Sequence, residues 1–169
     1  EGLLLGVGDM QGGNDGLLDL MVLRVGSDIL LHGAGDCTFS PAPLEIGDHW
    51  STAFSATWEA SQIKPTFAFG HYVDQANAEG PFEACDTNII MRPTALGYSL
   101  IKLNPGYCAL SMLFTDWARK GSADLRISND RHYYVQPLAL LVSETNKLLH
   151  LSILPIQIPP LLFLYQNAV

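Results

Sequence analysis

Basic side chains are scarce in this sequence: nine Lys and Arg stand against seventeen Asp and Glu, for a formal charge of -8 over 169 residues. The basic residues are scattered along the chain. Nucleic-acid backbones are held by clustered Lys and Arg, so a nucleic-acid partner is excluded. Cysteine is equally thin. Cys37, Cys85 and Cys108 form no C-x-x-C spacing and cannot all pair with one another, which reads against a disulfide framework and for a reducing compartment, the cytoplasm. Glu1 through Leu5 has neither the basic segment nor the apolar length of a signal peptide. A membrane span would want about 20 uninterrupted apolar residues. The most apolar segment, Leu148 to Leu164, is broken by His150, Pro155, Gln157, Pro159 and Pro160, and no membrane partner is expected. P-loop, G-x-S-x-G elbow and Ser-His-Asp order are also missing.

What is present is apolar bulk. Hydrophobic residues make up 48% of the chain and charged ones 15%, a balance that argues for a large buried fraction in one domain spanning residues 1–169. The clearest internal signal is a repeated heptapeptide, Leu3-Leu4-Leu5-Gly6-Val7-Gly8-Asp9 and Leu30-Leu31-His32-Gly33-Ala34-Gly35-Asp36. Each copy reads as a short apolar strand, a glycine turn and an aspartate. Their separation, 36 minus 9 or 27 positions, suits one strand-helix unit. Between them, Asn14 or Asp15 can cap a helix in which Leu17, Leu18, Met21, Val22 and Val25 recur at helical spacing, with Gly26 as its stop. The two strands are therefore expected to be parallel neighbours joined by a right-handed helical crossover.

Farther along, Trp50, Phe54 and Trp58 fall four apart, as on one face of a helix from Asp48 to Ser61. Trp50, Thr52, Phe54, Ala56 and Trp58 also alternate as a strand would, so that segment admits both readings. Thr66 to Phe69, Gly97 to Leu103 and Leu138 to Val142 read as strands, and Met112 to Lys120 reads as a short helix closed by Gly121. Ser143 to Asn146 makes a turn into Lys147 to Leu151, which carries His150. Alternating elements predict an α/β fold, a layered and mostly parallel sheet with helices on its faces. An all-β sandwich or jelly roll is the alternative.

In open α/β sheets, sites form beyond the carboxyl ends of the strands. Asp9, Asp36, His71 and His150 would stand there, and the first three would come within about 8 Å of a common point, the scale of a two-metal site with its ligand shell. Carboxylates and neutral imidazoles suit Zn, Mn or Fe. The bland reading of each is a helix cap, an Asx turn or a satisfied structural histidine.

The order of these groups resembles the calcineurin-like metallophosphoesterases, in the branch of the Ser/Thr phosphatases and diadenosine tetraphosphatases. Gly8-Asp9-Met10-Gln11-Gly12 is similar to their G-D-x-H-G, and Gly35-Asp36-Cys37-Thr38-Phe39-Ser40 lies where G-D-x-x-D-R-G would. Gly70-His71-Tyr72 falls near their G-N-H-E, and Lys147-Leu148-Leu149-His150 resembles the strand leading into H-[A/G]-G. The resemblance implies that Asp9 and Gln11 bind a first divalent metal, that Asp36 bridges two, that His150 binds the second, and that His71 acts as general acid. It implies Mn first, with Mg, Fe or Zn as substitutes, and a phosphorylated small molecule or phosphoprotein as substrate.

Gln11 stands in place of a histidine ligand, Gly70 in place of an asparagine, and Phe39-Ser40 in place of an aspartate and an arginine. The chain also stops short of the family's later G-H-x-[H/P] strand, as though truncated at its C-terminus. Three functions follow: a metal-dependent phosphoester hydrolase, an inactive binding relative of that fold, or a self-associating structural β-sandwich such as a coat subunit.

Overall fold

A computed structural model describes residues 2–10, 15–77, 84–104, 106–130, 138–142 and 150–154. From Asp19 to Leu23 every second side chain is buried and those between are partly exposed, which is the two-residue period of a strand. The same period recurs down the chain. The described residues form twelve strands and no helix.

The first sheet comprises β1 (Gly2–Gly8), β2 (Asp19–Ser27), β3 (Ile29–Gly35), β4 (Thr38–Ala42), β5 (Asp48–Thr57), β6 (Thr66–His71), β7 (Asn88–Thr94) and β8 (Gly97–Leu103). It runs β4-β3-β2-β5-β6-β7-β8, with β1 also paired to β2. The second sheet runs β12-β11-β10-β9, built from β9 (Ala109–Thr115), β10 (Asp124–Asn129), β11 (Leu138–Val142) and β12 (His150–Leu154). Every described strand pair is antiparallel.

Two cores follow from the alternation along β6. Phe67 and Phe69 point one way, into a core shared with Met21, Leu23 and Leu30 of β2 and β3 and with Ile89 and Met91 of β7. Ala68 points the other way and packs with Ala53 and Ile90 against Ala109 and Met112 of β9 and Leu125 and Ile127 of β10. The strand is buried at all six positions because it is covered on both faces. Small residues set the second contact. A Cβ placed on Gly70 would stand 2.9 Å from the Ala53 Cβ and 3.0 Å from the Ala109 Cβ. Polar groups close the seam. Thr52 donates its hydroxyl to the Ala109 carbonyl, the Phe114 amide donates to Ser55 Oγ at 3.0 Å, and a Cys85–Cys108 disulfide joins the entry of β7 to the entry of β9.

The α/β expectation is overturned, and the architecture is that of the all-β alternative. Asp15 does bind a backbone amide, that of Leu17 at 2.8 Å, but two residues on, as an Asx turn leading into β2 and not as a helix cap. The crossover helix up to Gly26 is this strand, and Asn14 lies outside the described residues. Because β1 and β3 both pair antiparallel with the same stretch of β2, they run in one direction but flank it; they are not neighbours. Asp48–Thr57 takes the strand of its two readings, and the helix expected from Met112 to Lys120 is the end of β9 and a turn. A disulfide between two of three cysteines also corrects the expectation of wholly reduced thiols.

Candidate functional site

Position along β2 separates the residues expected to converge. Gly8 pairs with Asp19 and Leu31 with Leu20, so Asp9 and Asp36 lie beyond the first end of that strand. His71 pairs with Ser51 of β5, and β5 meets β2 at Val25 to Ser27, toward the other end. The two ends of β2 are about 26 Å apart at the usual strand rise. Asp9 accepts the Gly16 amide at 3.2 Å, and Asp36 is exposed in the β3–β4 hairpin turn with φ of 52°. His150 opens β12 in the second sheet, and Gln11 lies outside the described residues. No common centre unites Asp9, Asp36 and His71.

Between the two copies of the heptapeptide, Asp19 is the carboxylate that the fold uses. It is 1% exposed and accepts from the Met10 amide at 2.6 Å, from the Gly33 amide at 3.0 Å, and from His32 Nδ1 at 2.9 Å. It therefore ties the end of β1 to β3 through β2. A Cβ on Gly33 would stand 2.3 Å from the Leu18 carbonyl oxygen, so this glycine serves a close backbone approach.

A second polar group sits at the far end of the first core. Ile46 is buried and carries the chain into β5, whose second residue, His49, stacks on His71 at the end of β6 with ring centroids 3.9 Å apart and planes 5° from parallel. The segment 84–87 runs back along Tyr72 to Asp74, which brings Asp86 to His49 Nδ1 at 2.7 Å and the Thr87 carbonyl to His71 Nδ1 at 2.5 Å. His49 Nε2 faces the Ile46 carbonyl at 3.0 Å. Both nitrogens of His49 thus meet acceptors, which favours the imidazolium: the Asp86 hydrogen bond raises its pKa against the opposing effect of burial.

His71 is the reverse. Its Nδ1–H must donate to Thr87, leaving Nε2 a lone pair, buried and without a partner. Burial, chiefly, and the neighbouring His49 charge hold its pKa down to about 4. Burial pushes the Asp86 carboxyl up, but the His49 hydrogen bond and charge outweigh it and the net shift is downward. Burial also raises the Asp28 carboxyl, against the opposing effect of the neighbouring Ser51.

His49, His71 and Asp86 bring one nitrogen or oxygen each within 4.8 Å of one another. A metal ion lies in the plane of an imidazole ligand at about 2.1 Å. Two nearly parallel, stacked planes share no such position, so both rings cannot hold one ion unless one of them turns. Ser51, at 1% exposure, and His71, at 0%, are closed to a substrate. At the junction of β5, β6 and the entry to β7, the cluster sets an imidazole bracketed by acceptors against one that is buried. His71 was singled out from its sequence context. His49 and Asp86 were not, since only the fold brings positions 49, 71 and 86 together.

The surface offers a different feature. At the β9–β10 hairpin, Trp117 is 64% exposed and Leu113 54%, and the Arg126 guanidinium, cross-strand from Leu113, lies 4.2 Å from the Trp117 ring centroid. Asp116 accepts the Lys120 amide at 2.7 Å and the Gly121 amide at 2.8 Å, which fixes the loop. Three of the nine basic residues, Arg119, Lys120 and Arg126, lie on this hairpin, a grouping that a reading of the bases as scattered missed, as it missed the exposure of the tryptophan beside them. Among the described residues, no helix is long and apolar enough to cross a membrane. Compared with protein-family models and with curated proteins, the chain matches none.

Proposed function

We propose that this chain is a structural subunit that associates with copies of itself, the coat-like β-sandwich of the three readings. The observation that carries it is the exposed Leu113–Trp117–Arg126 surface on a pre-shaped hairpin. Scattered exposed apolar residues are ordinary, whereas a contiguous set built of Trp, Arg and Leu has the composition of an interface anchor. Burial of His71, the neutral imidazole of the cluster, supports a non-catalytic role. The disulfide supports an oxidising compartment over the cytoplasm.

Sedimentation velocity on the purified chain tests the proposal. Association should appear as the concentration rises and should weaken at least about tenfold in Trp117→Ala, the loss typical of an anchor tryptophan. A parent chain that stays monomeric at about 100 µM, weaker than nearly all specific assemblies, would overturn it.

A further inference from the structure

Charge is segregated over this molecule. The β9–β10 hairpin presents Arg119, Lys120 and Arg126, while its two carboxylates are otherwise engaged: Asp116 in the turn and Asp124 buried to 3% exposure. The first four strands show the opposite sign. Between positions 9 and 48 there are seven acidic residues and one basic residue, Arg24, whose Nε donates to the Ser27 carbonyl. Of those acids, Asp15, Asp36, Glu45 and Asp48 are exposed, the first two at the β3–β4 turn end and the last two toward the start of β5.

Apolar surface accompanies the acid. Phe39 of β4, 41% exposed, pairs with Gly33, and the Leu18 carbonyl packs against the other side of that glycine, with the Leu18 side chain 60% exposed. At its turn end this face thus sets the exposed Asp15 and Asp36 beside two apolar side chains. The hairpin is a basic rim around Trp117 and Leu113.

We infer that the two faces meet between copies: the β9–β10 hairpin of one molecule docks on the β3–β4 face of the next. This rests on the self-association proposed above and names its geometry. Two different patches in contact make a heterologous interface, which propagates from copy to copy into a ring or an open chain and does not stop at a symmetric dimer. Charge complementarity adds specificity and an ionic-strength dependence, and the apolar centres supply the desolvated contact.

Two surface variants separate the inference from the reading on which it rests. Arg119→Asp with Lys120→Glu reverses the basic rim, and Asp15→Asn with Asp36→Lys reverses the acidic one; thermal melting first establishes that each folds as the parent does. Each alone should associate at least about tenfold more weakly than the parent in sedimentation velocity. An equimolar mixture should recover affinity between unlike variants in assemblies that alternate the two, since each reversed face then meets a reversed one and each parental face a parental one. Phe39→Ala should weaken association as Trp117→Ala does. If the parent associates and either charge variant matches it, or the mixture gains nothing, the docking geometry is overturned and self-association stands. If the parent is monomeric, both fall.

Discussion

His49 and His71 lie face to face yet hold their protons oppositely, because one ring is bracketed by acceptors and the other is shut away from solvent. This makes stability depend on pH in both directions. His71 falls from its ordinary 6.5 to about 4, so between those values the unfolded chain binds more protons and stability declines as pH falls, by up to about 3 kcal/mol. His49 is raised, so its contribution is complete below 6.5 and is lost as pH rises through its folded value. The lowered Asp86 adds a further loss only at pH below the ordinary 3.8. Urea unfolding followed from pH 4 to pH 9 should therefore show a maximum near 6.5, and His71→Gln should flatten the acid side. An acid limb that survives in that variant would assign the effect to other groups. The conspicuous Gly-Asp pairs at positions 8–9 and 35–36 drew the sequence reading to exposed or loop carboxylates. Asp19 looked like one more helical position, since its burial depends on partners from residues 10, 32 and 33.

At the scale of single elements, strand positions were legible where a short apolar run ends in turn residues: Gly97–Leu103 and Leu138–Val142 have the expected bounds. Direction was not legible, because parallel and antiparallel strands carry the same local pattern. The segment after Asp15 misled for a related reason. Apolar residues cover both faces of β2, and a run apolar on both faces contains helical spacings as readily as alternating ones. Gly70 reads locally as a turn after a strand, but it lies inside β6 and sets how closely β9 can approach. Gly70→Val would push Ala53 and Ala109 apart in a filled core and should destabilise by about 2 kcal/mol or more, measurable by chemical denaturation. A neutral effect would mean that the sheets can slide without loss.

Across the whole molecule, the two sheets are held by the Ala53–Gly70–Ala109 contact, by hydroxyls of β5 that satisfy β9, and by the Cys85–Cys108 bridge. The bridge closes a loop of 23 residues in sequence separation. Loop-closure entropy gives such a crosslink about 3 kcal/mol, with the mechanism model-dependent. Replacing both cysteines by serine should thus lower the melting temperature by roughly 10 °C for a chain of this size. Calorimetry of the double variant checks this, and an unchanged midpoint would show that the seam is held by packing alone.

Composition by itself determined that the chain has enough apolar residues for a substantial core, since this follows from a sum over residues. Local pattern determined where several strands begin and end, since a strand's period is written within a few residues. Which strands pair, which carboxylate is buried, and which two of three cysteines meet were decided by tertiary structure, since each depends on segments far apart in the chain. The histidine at position 71 shows the difference. Its place at a strand end could be read beforehand, but its neutrality arises from a ring at position 49 and a carbonyl at position 87 that only the folded chain sets beside it.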